Sequence, residues 1–207
     1  RHGSRGRIRR PRGRRVTGPA AANQAGRPIE DRLRAADLAP LPRTAWLEID
    51  LDALRDNLAA LREIVGPGVR VEPVVKADAY GHGAVPVARA LEAAGADGLS
   101  VATVDEAYEL REAGIALPLL VIYPVPPEHA VAAARARIAV SVGAGLLLGR
   151  ILAAAAQAAV LDPAMPPLEV HVEIETGLGR GGVPPDEAAS AIRSVAFLRR
   201  RIGAESW

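Results

Sequence analysis

The stretch Arg70-Val-Glu-Pro-Val-Val-Lys76, followed by Ala77-Asp-Ala-Tyr-Gly-His-Gly83, is the most informative part of this sequence. Its first half predicts a buried strand over residues 69–75, and the glycines of its second half predict a turn after that strand. Lys76 stands at the junction and is the single lysine among 26 basic residues, the others all being arginine. An amine can lose its proton and attack a carbonyl, whereas a guanidinium stays protonated, so Lys76 is a candidate for Schiff-base chemistry. A surface lysine that escaped an arginine-rich composition is the alternative.

Around this stretch, short apolar runs alternate with helical patterns. Further strands are predicted at residues 98–102, 119–123, 138–140 and 168–174, and helices at 51–65, 84–94, 103–113, 128–136, 145–160 and 186–196. Asp50 is the predicted cap of the first of these helices, and Thr103 with Glu106 forms a capping box for the third. The alternation predicts right-handed crossovers and a parallel sheet, which leaves a doubly wound sheet and a (β/α)8 barrel both open.

The net charge of +2 conceals two opposite parts. Residues 1–43 carry 12 arginines and a net charge of +9, whereas the remainder carries −7. The basic part is rich in Arg, Gly, Pro and Ala without hydrophobic periodicity, so we expect it to be disordered. No aromatic residue lies among these arginines and no nucleic-acid-binding pattern follows them, so nucleic acid is not the expected partner.

Composition and motifs exclude several other classes. There is no cysteine, so disulfides and thiolate metal sites are excluded. No apolar run reaches the roughly 18 residues of a membrane span, and no His, Asp and Glu cluster has metal-ligand spacing. The glycine-rich segment 177–182 lacks the Lys-Ser/Thr ending of a phosphate-binding loop. We therefore expect a soluble globular protein without a metal.

Three segments resemble the alanine racemases. Val74-Val-Lys-Ala-Asp-Ala-Tyr-Gly-His-Gly83 is similar to their pyridoxal-phosphate lysine segment. Ala45-Trp-Leu-Glu-Ile-Asp-Leu-Asp-Ala-Leu54 with Asn57 resembles their N-terminal opening, and His171-Val-Glu-Ile-Glu-Thr-Gly-Leu-Gly-Arg-Gly-Gly182 resembles their later arginine loop. The resemblance extends from about Thr44 to about Ala196, which is most of the chain.

The resemblance implies a partial pyridoxal-phosphate-binding (β/α)8 barrel of the TIM type and assigns roles to three residues. Lys76 would form the Schiff base with pyridoxal 5'-phosphate and then act as a base at the substrate α-carbon. Tyr80 would reach the cofactor phosphate. Arg180 would contact the phenolic oxygen of the cofactor and the carboxylate of the substrate. We expect His82 to have a structural role in the turn.

One departure from the family pattern concerns Glu173. Many members carry a carbamylated lysine here, whose negative group orients the arginine. The resemblance suggests that the Glu173 carboxylate supplies that negative partner directly.

The resemblance also implies that the sequence is incomplete. We expect a tail at residues 1–43, an incomplete barrel domain at 44–207 and no C-terminal β domain, so that this piece alone is inactive. The implied protein is a cytoplasmic homodimer that interconverts L- and D-alanine for the cell wall. A cofactor-carrier barrel without turnover, another racemase of this fold and a D-amino-acid aldolase are the alternatives.

Overall fold

The structure, a computed structural model, describes residues 27–143 and 145–201. The chain divides into two compact units, the first ending at Glu48 and the second beginning at Ile49. In the first unit, the structure differs from the predicted disorder over helix α1 (Ile29–Ala35). Acidic residues in its first turn and arginines in its last turn complement the helix dipole, which explains a helix in a basic stretch. Residues 1–26 of the predicted tail lie outside the described residues, and the predicted domain boundary at 43 and 44 stays a prediction.

The second unit alternates helices and strands along the chain. Its elements are α2 (Leu51–Val65), the turn α3 (Lys76–Gly81), α4 (Ala84–Ala93), β1 (Leu99–Val101), α5 (Val104–Glu112), β2 (Leu119–Val121), a 3-10 turn (Pro127–His129), α6 (Ala130–Arg135), β3 (Ile138–Val142), α7 (Gly145–Leu161), β4 (Val170–Val172) and α8 (Ala188–Arg201). The strands and helices predicted from residue 98 onward are therefore present, with ends that differ by a few residues. Of the helices that the structure describes, none is both long and apolar enough to cross a membrane.

The order of the strands decides between the two architectures that the sequence left open. All four strands are parallel and lie side by side in the order β1-β2-β3-β4. A doubly wound sheet reverses its order at a switch point, whereas a barrel adds each strand beside the previous one. The fold is therefore part of an α/β barrel, and within the described residues the sheet is not closed.

The two faces of the sheet differ in chemistry. The face that packs against the helices is apolar, and α5 covers β1 and β2 while α6 covers β3. Seven of its side chains, all on β1 to β3, are at most 1 % exposed: Leu99, Val101, Leu119, Val121, Ile138, Val140 and Val142. Burying a side chain of this size contributes about 1.5–3 kcal/mol, so this face is the main source of stability. The opposite face, which is the interior of a barrel, carries Ser100, Leu120 and Ala139 in one register row and Ser141 with His171 in another.

The stretch that precedes Lys76 departs from the predicted buried strand. Residues 69–75 run beside β1, but only Val74 forms a regular bridge, with Ser100. Pro73 has no N–H to donate, and the Val71 N–H donates instead to the Asp97 carboxylate at 2.6 Å. That bond lowers the pKa of Asp97 below its ordinary value. The stretch is therefore an irregular edge, with Val74 40 % exposed.

The predicted helix starts are confirmed. The Asp50 carboxylate accepts hydrogen bonds from the N–H groups of Asp52 and Ala53, both at 3.0 Å. Thr103 and Glu106 form the reciprocal capping box at the start of α5. These contacts satisfy N–H groups that a helix leaves without internal partners.

A single arginine joins three parts of the barrel wall. The guanidinium of Arg111, at the end of α5, donates to the carbonyls of Ala136, Ile115, Leu117 and Arg137 at 2.7 to 3.0 Å. These carbonyls lie in the connections before β2 and β3. Burial lowers the pKa of Arg111 from its ordinary value, which reflects how far this cation is withdrawn from water.

Candidate active site

Lys76 leaves the sheet at its carboxyl edge. The preceding residue, Val75, is 2 % exposed, and its N–H donates to the carbonyl of Ser100 at 2.8 Å. The backbone is therefore fixed up to the residue before the lysine, while the lysine itself is half-buried. The carboxyl edge of a parallel sheet is where α/β barrels place their functional groups.

The turn that begins at Lys76 has an unusual backbone. Four consecutive residues, Ala77 to Tyr80, have φ angles between 51° and 56°, which is the left-handed helical region. This region costs residues other than glycine about 1–2 kcal/mol each. Strain of this size persists only where the surroundings enforce it, and such places cluster at functional sites.

Two carboxylates hold this turn, one on α5 and one within the turn. The Glu106 carboxylate accepts the N–H of Ala77 at 2.7 Å while it also accepts the N–H of Ala102 at 2.7 Å. The glutamate of the α5 capping box thereby fixes the position directly after Lys76. The Asp78 carboxylate accepts the N–H of Ala84 at 2.6 Å and so links the turn to the start of α4.

His82 has the structural role that the sequence predicted. Its Nδ1 lies 2.8 Å from the carbonyl oxygen of Ala79, within the same turn. The imidazole therefore closes the turn and does not reach towards Lys76.

Tyr123 brings Lys76 and Arg180 together. The lysine Nζ lies 3.4 Å from the tyrosine hydroxyl and 5.1 Å from the ring centroid. The guanidinium carbon of Arg180 lies 5.9 Å from the same centroid. Both cations are thus within the range in which an aromatic face attracts positive charge. The structure assembles a primary amine, a phenol and a guanidinium at one edge of the sheet.

The loop that carries Arg180 needs glycine because the backbone packs closely. It follows β4 and returns at Val183, which bridges to Ile174. A Cβ atom on Gly143, just after β3, would overlap the carbonyl of Gly181. A Cβ on Gly182 would lie 2.5 Å from the backbone nitrogen of Glu175, closer than side chains tolerate. The loop therefore lies directly against the ends of β3 and β4.

Glu175 organises this loop from within. Its carboxylate accepts the N–H of Gly177 at 2.6 Å and the N–H of Arg180 at 2.9 Å. Hydrogen bonds from the backbone of Gly179, and then of Gly177 and Arg180, lower the pKa of Glu175 below its ordinary value. A carboxylate that accepts several N–H groups holds them better when ionised, so the charge of Glu175 stabilises the backbone of Arg180.

We expect Glu175→Gln to loosen the loop, because the amide removes the charge and turns an NH2 group towards N–H donors. At pH 7 the amides of Gly177 and Arg180 should lose about tenfold of their protection against hydrogen exchange. Because the pKa of Glu175 in the folded loop is lower than the ordinary value of 4.5, the ionised carboxylate stabilises the loop fully above pH 4.5. This stabilisation is lost as the pH falls through the lower pKa of the folded loop. In acid, the hydrogen-exchange protection of these two amides in the wild type should therefore fall towards that in Glu175→Gln.

Glu109→Gln, on the exposed side of α5, is the matched control, since it makes the same change of charge away from the loop. Equal protection of residues 177–180 in the wild type and Glu175→Gln would contradict the role of Glu175.

The role of Glu173 as the acid partner of Arg180 stays a prediction, and the contact that the structure shows involves Glu175. The backbone of Glu173 is held between β3 and the returning loop, its N–H donating to Val142 and its carbonyl accepting from Val183. Among the described residues, the ion pairs closer than 4 Å include none between Glu173 and Arg180. The carboxylate that contacts Arg180 is that of Glu175, two residues later, and it binds the backbone.

Of the three predicted site residues, Lys76 and Arg180 both lie near the Tyr123 ring. Tyr80 lies on the left-handed turn with 61 % of its surface exposed, and its role towards a phosphate stays a prediction. Tyr123 is the residue that sequence reasoning missed. Its signal was its place at the end of a predicted strand, at the same edge as Lys76.

A parallel α/β barrel with an amine and a guanidinium at its carboxyl edge belongs to the class of barrel proteins that bind small anionic molecules or cofactors there. Comparison with known proteins identifies the family. The model described as "Alanine racemase, N-terminal domain" matches residues 49–205, and the chain belongs to the alanine racemase family.

Similar proteins bear the same name. The alanine racemase of Desulfovibrio desulfuricans is 40 % identical over 156 residues, which cover 75 % of this chain and 40 % of that protein. The alanine racemase of Geobacillus stearothermophilus is 41 % identical over 158 residues, covering 76 % and 38 %. The chain thus spans about 40 % of the length of the curated relatives it matches.

Solved structures agree on the fold. Alanine racemase of Clostridium difficile 630 matches with a TM-score of 0.67 at 33 % identity, covering 78 % of this chain and 40 % of that one. Alanine racemase of Bacillus anthracis, solved with bound L-Ala-P, matches with a TM-score of 0.64 at 33 % identity, covering 78 % and 39 %. The partial barrel is therefore the barrel of this family.

Proposed function

We propose that the protein to which this chain belongs is a pyridoxal-phosphate-dependent racemase that interconverts L-alanine and D-alanine. The observation that carries the proposal is the meeting of Lys76 and Arg180 at Tyr123, at the carboxyl edge of a barrel of this family. The family membership supports the choice of alanine, and a cytoplasmic homodimer that supplies D-alanine to the cell wall is part of the same proposal.

The residues at this edge suit pyridoxal phosphate. An aldehyde needs a primary amine, and Lys76 offers one on a backbone that Glu106 holds in place. Anionic oxygens need a cation with directed donors, and Arg180 supplies a guanidinium on a loop braced by Glu175. Tyr80, on the same turn as Lys76, offers an exposed phenol. The donor set therefore matches an aldehyde that carries negative groups.

Each residue has a proposed task. Bound pyridoxal phosphate supplies a sink for the negative charge that develops at the α-carbon of an amino acid. Lys76 would hold the cofactor through its amine and would move the proton at the α-carbon. Arg180 would orient the substrate carboxylate and contact the phenolic oxygen of the cofactor, while Tyr80 would bind its phosphate.

The test is turnover by the full-length protein. Purified protein supplied with pyridoxal phosphate and L-alanine should produce D-alanine until the two enantiomers are equal, as followed by chiral chromatography. L-serine and L-glutamate serve as parallel substrates. Binding of pyridoxal phosphate without any D-amino acid would contradict the proposal and favour a carrier. Faster racemisation of another amino acid would overturn the assignment of alanine.

A further inference from the structure

Tyr123 occupies a fixed place at the carboxyl end of β2. Its N–H donates to the carbonyl of Ala102 at 3.2 Å, and the N–H of Ile122 donates to Val101 at 2.9 Å. The ladder between β1 and β2 therefore continues past the strand ends and includes the backbone of the tyrosine. A side chain on such a backbone is held more exactly than one on a free loop.

The Tyr123 side chain makes two kinds of contact, a polar contact through its hydroxyl and cation–π contacts through its ring. Its hydroxyl contacts Lys76 Nζ at 3.4 Å, and its ring lies near both Lys76 and Arg180. Two cations at one edge repel each other, whereas the negative face of an aromatic ring attracts both. The hydroxyl contacts Lys76, whereas the ring attracts both the Lys76 amine and the Arg180 guanidinium.

From these contacts we infer that Tyr123 is a positioning residue for the proposed reaction. Its hydroxyl sets the direction of the Lys76 amine, and its ring holds the Arg180 guanidinium at a fixed place relative to that amine. The inference rests on the proposed function, because the tyrosine acts through two groups that the reaction uses. It assigns a role to a residue that is outside the predicted set of Lys76, Tyr80 and Arg180.

The two contacts can be separated by substitution. Tyr123→Phe removes the hydroxyl and keeps the ring, whereas Tyr123→Leu removes both. Tyr108→Phe is the matched control. The Tyr108 hydroxyl, on α5, is buried without a hydrogen-bond partner among the described residues, and we expect its removal to leave the site unchanged.

Two labelling rates of the full-length apoprotein test the hydroxyl. The first is trinitrobenzenesulfonate modification of Lys76, followed by peptide mapping, and it reports how free the amine is. The second is capture of pyridoxal phosphate on Lys76, trapped with cyanoborohydride, and it requires a directed amine. In Tyr123→Phe we expect the first rate to rise about threefold and the second to fall about fivefold. A purely structural role would move both rates in the same direction.

The ring is tested by the steady-state kinetics of the holoenzyme. The KM for alanine should stay within about twofold in Tyr123→Phe and should rise about tenfold in Tyr123→Leu, since only the second variant releases Arg180. Melting temperatures and circular dichroism should match the wild type in both variants and in Tyr108→Phe.

The outcomes separate this inference from the proposed function. Unchanged trinitrobenzenesulfonate labelling in Tyr123→Phe, or an unchanged KM in Tyr123→Leu, overturns the role of Tyr123 even if the wild type racemises alanine. Absence of pyridoxal phosphate capture in the wild type overturns the proposed function, and the trinitrobenzenesulfonate rates still judge the contact between Tyr123 and Lys76.

Discussion

Replacing Lys76 with arginine should reduce alanine racemisation by at least about 10³-fold, because a guanidinium keeps the charge but cannot supply a nucleophilic amine. We expect this substitution to leave the local structure largely unchanged. The turn after residue 76 is held by Glu106 and Asp78, which bind backbone N–H groups and not the lysine side chain. A guanidinium can also retain the contact with the Tyr123 ring. The lost activity would therefore report on amine chemistry. The measurement is the rate of D-alanine formation at saturating pyridoxal phosphate.

Arg89→Lys provides the matched control for this experiment. Arg89 is exposed on α4, and within the described residues its side chain donates to the carbonyl of Ala113, so exchanging one cation for the other there should leave the rate unchanged. Retention of more than about a tenth of the wild-type rate by Lys76→Arg would show that the amine is not essential.

Replacing Arg111 with alanine should lower the free energy of unfolding by about 3 kcal/mol, because four backbone carbonyls lose a charged donor. Those carbonyls lie in two connections that α5 holds against the sheet, and the hydrogen bonds to Ala136, Ile115 and Leu117 are partly buried, so these three carbonyls lose a donor where water has limited access. Equilibrium urea unfolding of the full-length protein and its variants measures the change. The slope with denaturant should stay constant if only stability is altered.

Two further variants make this result interpretable. Arg111→Lys should recover part of the loss, since one ammonium can reach some of the carbonyls but cannot span all four. Arg89→Ala removes an exposed arginine with a single carbonyl partner and should cost less than about 1 kcal/mol. Equal losses for Arg111→Ala and Arg89→Ala would contradict the role assigned to Arg111.

Local signals in the sequence were sufficient for much of the fold. The helix starts at Asp50 and Thr103 depend on side chains two or three residues from the groups they bind, and both are confirmed. The buried strands after residue 98 are apolar runs between glycine or proline, a pattern that distinguishes them without reference to distant residues. The sequence pattern did not distinguish a barrel from a doubly wound sheet, because strand order is a property of the whole chain. The observed order β1-β2-β3-β4 decides between these two architectures.

Features that depend on distant contacts escaped prediction. Ala-Asp-Ala-Tyr does not predict four consecutive left-handed residues, and one contact that holds the turn comes from Glu106, 29 positions away, which binds the N–H of Ala77. The strand predicted over residues 69–75 is irregular because the Asp97 carboxylate takes the Val71 N–H. Tyr123 approaches Lys76 across 47 positions of sequence, so its part in the site needed the structure.

The arginine loop shows the same limit at short range. Glu173 and Glu175 are both acidic, and the family pattern drew attention to the first. Only the backbone path of residues 174–183 shows that the second faces the N–H groups of the loop. The sequence therefore located the loop and its arginine, whereas the geometry identified the acid that holds it.

The proposed reaction depends on a covalent bond between Lys76 and pyridoxal phosphate. Borohydride reduction of the full-length holoenzyme, followed by proteolysis and mass spectrometry, tests this bond directly. We expect a pyridoxyl group on the peptide that contains Lys76 and on no other lysine. An unmodified Lys76 in protein that retains the cofactor, or a pyridoxyl group on a different residue, would contradict it.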